Sequence, residues 1–245
     1  MSETIPDRMG RGAVIVLCMG STLAAPRVAP AQLVPAPMTR SPSLIAGAAL
    51  EPEPVASAAY LHPVPVEGGR TALAVGAGTK LPLLSIARGD FRVQLLAAAS
   101  YQSPRGLGAA CQALPYLARA ENDAGAFFGL GVELRCQPSY FRGSWIVGLD
   151  LGWQETLTTN IQNSDLARRT FDDRYPPGVI GSSGPEDGWY RFTSVRFRAG
   201  LATSHRFDGS WSGAAALGTL FTLQDQGVYL PLIPFYLELS ARCGF

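Results

Sequence analysis

The stretch that decides the fold is the last one in the chain, FYLELSARCGF, which covers residues 235–245. Apolar residues occupy every second position: Phe235, Leu237, Leu239, Ala241, Cys243 and Phe245. Such a period of two indicates a β-strand with one apolar and one polar face. The ends of soluble domains usually fray, whereas the last strand of a membrane barrel must pair with the first to leave no open edge. This terminal strand therefore favours a closed β-barrel in a membrane.

Composition limits the other possibilities. The chain has 245 residues, of which 47% are apolar and 16% charged, and its net charge of +1 gives no reason to expect a nucleic-acid partner. After residue 31 there is no run of 18 apolar residues, so a membrane span would have to be made of strands.

The N-terminus has the organisation of a secretion signal. Arg8 and Arg11 precede an apolar run at 12–25, and an A-x-A cleavage site follows at Ala29-Pro30-Ala31. We therefore predict a cleaved signal peptide at 1–31 and a flexible, proline-rich lead-in at 32–42. The remaining chain, 43–245, forms the predicted barrel domain.

Short alternating segments separated by turn residues fill this domain, and ten of them are predicted as strands, with eight or twelve as the alternatives. Their approximate bounds are 44–52, 55–64, 70–81, 90–101, 106–114, 125–136, 144–156, 190–205, 210–222 and 234–245. Counted back from Phe245, seven links alternate between short and long, as periplasmic turns and external loops do. The longest link, 157–189, is predicted to be an external loop with a short helix capped near Ser164.

These features resemble those of the small outer-membrane β-barrel proteins of Gram-negative bacteria. The signal at 1–31, the terminal strand ending in Phe245 and the rhythm of the turns carry the resemblance. It implies a monomer in contact with outer-membrane lipid and lipopolysaccharide, inserted by barrel-insertion machinery that reads the C-terminal strand. The group includes passive barrels, narrow channels, adhesins and a few enzymes, so the resemblance selects no function.

If the apolar faces meet lipid, one set of charged side chains points into the lumen: Arg92, Glu133, Arg135, Asp150, Arg196, Arg198, Glu238 and Arg242. A barrel of about eight strands is just filled by its own side chains. Unpaired buried charges are costly, so these residues must pair. We expect a lumen filled by ion pairs, with a narrow, anion-leaning pathway as the alternative.

Aromatic residues mark the predicted membrane boundaries. Trp145 and Trp153 are eight residues apart on one strand, which corresponds to roughly 20 Å along the membrane normal at a tilt of about 40°. That is close to the height of the apolar band of such barrels. The predicted girdle consists of Trp145, Trp153, Trp189 and Phe245.

Cys111 and Cys136 lie on consecutive predicted strands, directly opposite each other if the hairpin is centred between Asp123 and Ala124. An exported chain permits a disulfide there. Opposed strand residues are slightly too far apart for an undistorted bridge, so two free thiols remain the alternative.

The chemistry-bearing residues do not predict an enzyme, a cofactor or a metal site. The chain has two histidines, His62 and His205, and Ser204 points to the opposite face of its strand from His205. We predict an outer-membrane barrel with a mostly filled lumen and a structural or narrow-channel role.

Two other functions stay open. The first is a barrel-embedded surface enzyme acting on lipid or peptide, which requires a Ser/His/Asp-type cluster on one rim. The second is a soluble secreted barrel that binds an apolar ligand, which requires large apolar side chains to point inward. The directions of Leu149 and Asp150 separate the membrane barrel from the soluble one.

Overall fold

A computed structural model of the chain describes residues 41–51, 53–66, 69–174, 186–191, 194–207, 210–224, 227–229 and 235–245. The predicted signal peptide and most of the predicted lead-in lie outside these residues. The strands are β1 Ser43–Leu50, β2 Pro54–Val64, β3 Thr71–Pro82, β4 Phe91–Gln102, β5 Leu107–Asn122, β6 Gly125–Arg142, β7 Trp145–Asn163, β8 Gly188–Tyr190, β9 Ser194–Arg206, β10 Trp211–Gln224, β11 Gly227–Tyr229 and β12 Phe235–Gly244. There is one α-helix, α1, at Asp165–Arg174 among the described residues, and a 3-10 turn at Ile86–Arg88.

Ten of these strands form a closed antiparallel barrel. Each pairs with the next around the circle, and β12 pairs with β1 from Leu237–Leu50 to Gly244–Ser43. The short strands β8 and β11 pair only with the ends of β7 and β10, so they lengthen two hairpins without widening the barrel. The predicted all-β, ten-stranded architecture and the closing role of the terminal strand are confirmed.

The barrel has two rims, which we call the C-terminal rim and the opposite rim. The C-terminal rim contains Ser43, Phe245, the links at 103–106 and 143–144, and the described ends of β2, β3, β9 and β10 at Val64, Thr71, Arg206 and Trp211. Gly106 and Gly143 adopt φ of 83° and 63° there, a conformation that favours glycine. The opposite rim contains the turn at 123–124, the residues 83–90 and the other ends of the barrel strands.

Strands β5, β6 and β7 are longer than predicted. They have 16, 18 and 19 residues, against 8 in β1. The predicted long link at 115–124 is therefore a two-residue turn at 123–124. Likewise the predicted loop 157–189 starts with seven residues of β7, and Tyr190 belongs to β8 and not to β9. The pairing of β5 with β6 continues through 115–122 as far as the Asn122–Gly125 pair, although Pro115 lies in this segment.

Helix α1 follows directly after the long strand β7. Ser164 caps it, since Ser164 Oγ accepts a hydrogen bond from the backbone N–H of Ala167 at 3.1 Å. The same hydroxyl lies 2.6 Å from the carbonyl of Asp123 and donates to it. No helix among the described residues is long and apolar enough to cross a membrane.

Side chains alternate between the outside and the lumen along the barrel strands, with one register irregularity between β6 and β7 at Leu130/Gly131. Part of the lumen is apolar, which we call the apolar plug: Ile45, Ala59, Leu61, Ala74, Leu96, Ala98 and Leu114. Along β1, β3 and β4 the plug lies nearer the C-terminal rim than the charged residues do. The faces of β1, β2 and β5 are too rich in alanine and glycine to be assigned from sequence, so the plug was not predicted.

Candidate functional site

The lumen holds a buried cluster of charged side chains, the charge cluster, centred on Asp150 of β7. Asp150 is fully buried and accepts hydrogen bonds from Arg135, at 3.2 Å to each oxygen, from the Tyr236 hydroxyl at 2.9 Å, and from Arg198. Glu238 of β12 accepts from Arg135 and Arg198, both at 2.9 Å. Two arginines and two carboxylates from four different strands thus form one connected unit.

A second unit of the charge cluster surrounds Glu133 of β6. Arg92 Nη2 donates to Glu133 Oε2 at 2.6 Å, and Lys80 Nζ lies 3.8 Å from the same oxygen. Arg135 Nε is 3.9 Å from the other carboxylate oxygen and connects the two units. Because these side chains are all at most 2% exposed, water contributes little to their solvation and each charge depends on the others.

Two tyrosines cover the arginines inside the lumen. Arg92 stacks over the Tyr116 ring at 3.8 Å, and Arg198 over the Tyr236 ring at 3.9 Å. Cation–π contacts of this kind are strongest when they are desolvated. The arginines are therefore held by carboxylates at their ends and by aromatic faces along their planes.

Glycines on the lumen face provide the space. A Cβ at Gly152 would lie 2.5 Å from Arg198 Cγ, and one at Gly131 would lie 2.4 Å from the Tyr116 hydroxyl. Glycine alternates with large apolar residues in β6 and β7, a pattern typical of a crowded barrel interior.

Six of the eight predicted lumen residues are in direct contact in the structure, and two are placed differently. The six are Arg92, Glu133, Arg135, Asp150, Arg198 and Glu238. Arg242 lies at the C-terminal rim, where its Nε donates to Ser43 Oγ at 3.0 Å. Arg196 is on the lumen face of β9 and makes no salt bridge with a described residue.

Two members of the charge cluster were not predicted. Glu51, at the end of β1, accepts from Arg198 Nη1 at 3.2 Å, and Lys80 projects inward from β3. Glu51 lies in an EPEP sequence that indicates a turn. No alternation of apolar and polar residues there predicts that its side chain points inward. Lys80 is the sole lysine of the chain, which was a signal that could have been used.

The outer surface has an apolar belt between two aromatic bands. Trp153, Phe197 and Phe221 are paired across β7, β9 and β10 and form one band. The other lies at the C-terminal rim, where the exposed aromatic residues are Tyr101, Tyr140, Trp145, Phe207, Trp211 and Phe245. Trp189, predicted in the girdle, is exposed on β8 opposite Asn160, beyond the first band.

Leu149 and Asp150 show the direction of the strand faces directly. Leu149 is 48% exposed and Asp150 is 0% exposed. Most of the large apolar side chains of β6, β7 and β12 point outward, and most of their charged side chains point inward. A soluble barrel with an apolar ligand inside requires the reverse, so that alternative is wrong.

Cys111 and Cys136 are paired opposite each other on β5 and β6 and are joined by a disulfide. Both belong to the outward-facing sets of their strands, with Ala113 and Leu134. The bridge therefore lies on the apolar belt and not in the lumen.

Outside the lumen, the side chains of Ser144 and His205 are in contact. His205 projects outward from β9, and its Nε2 lies 3.0 Å from Ser144 Oγ in the 143–144 turn. The His205 ring packs against Trp145 and Phe207, with centroid distances of 4.4 and 5.0 Å. Ser204 points into the lumen, so it takes no part, and His62 contacts the Tyr60 hydroxyl elsewhere. Among the described residues, no three His, Cys, Asp or Glu side chains are grouped to hold a metal.

Asp187 connects the residues just before β8 to the end of β7 and to helix α1. It accepts from the backbone N–H of Asn163 at 2.9 Å, from the Asn163 side-chain amide at 3.0 Å and from Arg168 at 2.7 Å. The backbone hydrogen bond from Asn163, followed by its side-chain amide, holds the pKa of Asp187 below its ordinary value.

No protein-family model and no curated protein matches the chain. Among solved structures, it is similar to the beta domain of the Bordetella autotransporter BrkA, with 11% identity, 84% of this chain and 99% of that chain covered, and a TM-score of 0.39. The translocator domain of the autotransporter NalP from Neisseria meningitidis gives 12% identity, 84% and 89% coverage, and a TM-score of 0.35. The N-terminal β-barrel domain of Pseudomonas aeruginosa OprF gives 12% identity, with 84% of this chain and 98% of that chain covered, and a TM-score of 0.29. At these TM-scores the similarities carry no inference about function.

Proposed function

We propose that this chain is an integral outer-membrane β-barrel, exported through a cleaved signal peptide, whose interior is closed by its own side chains. It then serves as a structural element of the cell envelope and not as an open pore. It needs no cofactor, and it works as a monomer in contact with outer-membrane lipid and lipopolysaccharide.

One observation carries the membrane part of this proposal, the exposed apolar belt between two aromatic bands. Leu149, Leu201, Leu217 and Leu239 are each 48–60% exposed to solvent when the barrel stands alone. Soluble monomers rarely expose a continuous apolar surface of this extent, whereas lipid covers it at no cost. The aromatic bands lie where the interfaces of the bilayer would be.

The closed interior is supported by two independent layers. The charge cluster connects β3, β4, β6, β7, β9 and β12 across the lumen, and the apolar plug fills the space beside it. Ten strands give a narrow barrel, and open aqueous pores are built from about 16 or more. A narrow channel would need both layers to open together, so the structural role is favoured over the channel role.

The experiment for membrane insertion uses nitroxide labels on the refolded barrel in phospholipid vesicles. A label at Leu149 is expected to be accessible to dissolved oxygen and shielded from a water-soluble nickel chelate. A label at Arg168, on the external helix, is the matched control and is expected to show the opposite. Equal access of the nickel chelate to both positions would exclude insertion.

The Ser144–His205 contact supports a second candidate function, a barrel-embedded hydrolase acting on lipid or peptide at the membrane surface. A serine hydroxyl hydrogen-bonded to a histidine is the first half of a nucleophile–base pair. A fluorophosphonate probe tests it: labelling of the intact barrel that disappears in Ser144→Ala, but not in Ser139→Ala, would support this function. Equal labelling of both variants, or none of the intact barrel, would exclude it.

A further inference from the structure

A cavity of about 490 Å³ lies at the turn between β4 and β5, lined by Tyr101, Ser103, Pro104, Arg105, Leu107 and Gly108. This volume falls within the range of pockets that bind small molecules, roughly 300–1,000 Å³. The cavity belongs to neither the charge cluster nor the apolar plug.

The turn that forms the cavity is fixed by hydrogen bonds. Ser103 N–H donates to the Leu107 carbonyl at 2.7 Å, and Gly106 N–H donates to the Ser103 carbonyl at 3.1 Å. Phe141 N–H of the neighbouring strand donates to the Gly106 carbonyl at 2.7 Å. These three backbone hydrogen bonds hold the turn in place without a ligand.

The lining combines two kinds of surface. Tyr101 and Leu107 are 49% and 59% exposed on the outward face, and Pro104 is a further apolar residue of the lining. The exposed guanidinium of Arg105 is the one charged group in the lining, and it is a good partner for phosphate oxygens. Ser103 Oγ is buried and has no hydrogen-bond partner among the described residues.

The cavity lies at the C-terminal rim, beside the exposed aromatic residues of that rim. In the orientation set by Phe245 this rim is periplasmic, and the adjacent leaflet of an outer membrane consists of phospholipid. An apolar wall next to a single cation at the interface complements a molecule with an acyl chain and a phosphate. We propose that this cavity binds one phospholipid of the periplasmic leaflet, with Arg105 paired to its phosphate.

This inference rests on the proposed membrane insertion and adds a specific lipid site to it. The test is native mass spectrometry of the barrel in a mild detergent with added phosphatidylglycerol, phosphatidylethanolamine or diacylglycerol. The two phospholipids are expected to bind with one molecule per barrel, and diacylglycerol is expected not to bind. Comparison of the two phospholipids separates recognition of the phosphate from recognition of the whole headgroup.

Arg105→Gln is expected to weaken phospholipid binding about fivefold, the effect of one arginine near a lipid surface. Arg142→Gln is the matched control, because Arg142 is also exposed at the C-terminal rim, and it is expected to leave binding unchanged. Leu107→Asn, which removes part of the apolar wall, gives a second loss without changing charge.

Three results would overturn the lipid site. They are equal effects of Arg105→Gln and Arg142→Gln, binding of diacylglycerol as strong as that of the phospholipids, and displacement of the lipid by inorganic phosphate alone. If the nitroxide labels show insertion and these results are still obtained, the lipid site is wrong while the membrane barrel stands. If the labels show no insertion, the proposed function itself fails.

Discussion

Arg198 on β9 and Glu238 on β12 form a hydrogen-bonded ion pair of 2.9 Å across the strand that separates them, β10. Both side chains are at most 3% exposed. The pair therefore joins strands that are not neighbours, and it connects the closing strand of the barrel to the centre of the charge cluster.

Removal of one partner of this pair should be strongly destabilising. Glu238→Gln leaves Arg135 and Arg198 without one of their carboxylates in a water-excluded lumen, and we expect a loss of about 3–5 kcal/mol in the free energy of unfolding. Urea unfolding of the barrel in phospholipid vesicles measures this loss.

The matched control for Glu238→Gln is Arg168→Gln, in the exposed Arg168–Asp187 pair, which should cost no more than about 1 kcal/mol. Arg198→Met combined with Glu238→Gln should cost less than the sum of the two single changes, because the pair is lost only once. Strict additivity, or equal costs of Glu238→Gln and Arg168→Gln, would contradict the structural role of the charge cluster.

The disulfide between Cys111 and Cys136 should stabilise the barrel mainly by restricting the unfolded chain. The residues are 25 positions apart, and the double variant Cys111→Ala/Cys136→Ala should lose about 2–4 kcal/mol. A reductant should shift the urea midpoint of the native chain and leave that of the double variant unchanged. A reductant effect of the same size on both proteins would show that the bridge is not its cause.

Asp187 should make its contact with Asn163 at the end of β7 sensitive to acid. Its pKa in the folded chain is below the ordinary value, so the folded state is favoured at pH values above the ordinary pKa of an aspartate. This contribution is lost as the pH falls through the lower, folded pKa. Hydrogen exchange of the Asn163 amide, which donates to Asp187, should therefore accelerate at acidic pH beyond its intrinsic rate.

In Asp187→Asn the exchange of the Asn163 amide should follow only the intrinsic pH dependence. The amide of Ala167, which is bonded to the uncharged Ser164 hydroxyl, serves as the internal reference. An acid-induced increase at Asn163 that persists in Asp187→Asn would show that another group is responsible.

The barrel and the directions of its side chains can be predicted from the sequence because successive residues of a strand point to opposite faces. In β7 the alternation from Trp145 to Trp153 assigns every side chain to the outside or the lumen, and Asp150 lies where it predicts. Alternation gives no answer where both faces carry small residues, as in β1 and β2. The inward direction of Ile45 and Leu61 could therefore not be predicted. Glu51 was not predicted for a related reason, because the alternation pattern stops at the end of a strand.

The lengths of β5, β6 and β7 could not be predicted because pairing beyond the wall depends on both strands of a hairpin. The segment 115–122 contains Pro115 and alternates poorly, yet every residue in it is paired with β6. The Ser144–His205 contact is likewise invisible in sequence, since it joins a turn to a strand 61 residues away.

The closed interior is the central claim, and conductance of the refolded wild-type barrel in a planar lipid bilayer tests it most directly. Insertion is verified separately by the oxygen accessibility of a nitroxide label at Leu149 in the same lipid, because a variant with only the plug trimmed would keep the charge cluster in the lumen and is no positive control for conductance. The wild-type barrel is expected to give no current steps, because the charge cluster and the apolar plug both block the lumen. Regular conductance steps of one size from the wild-type barrel would contradict the claim.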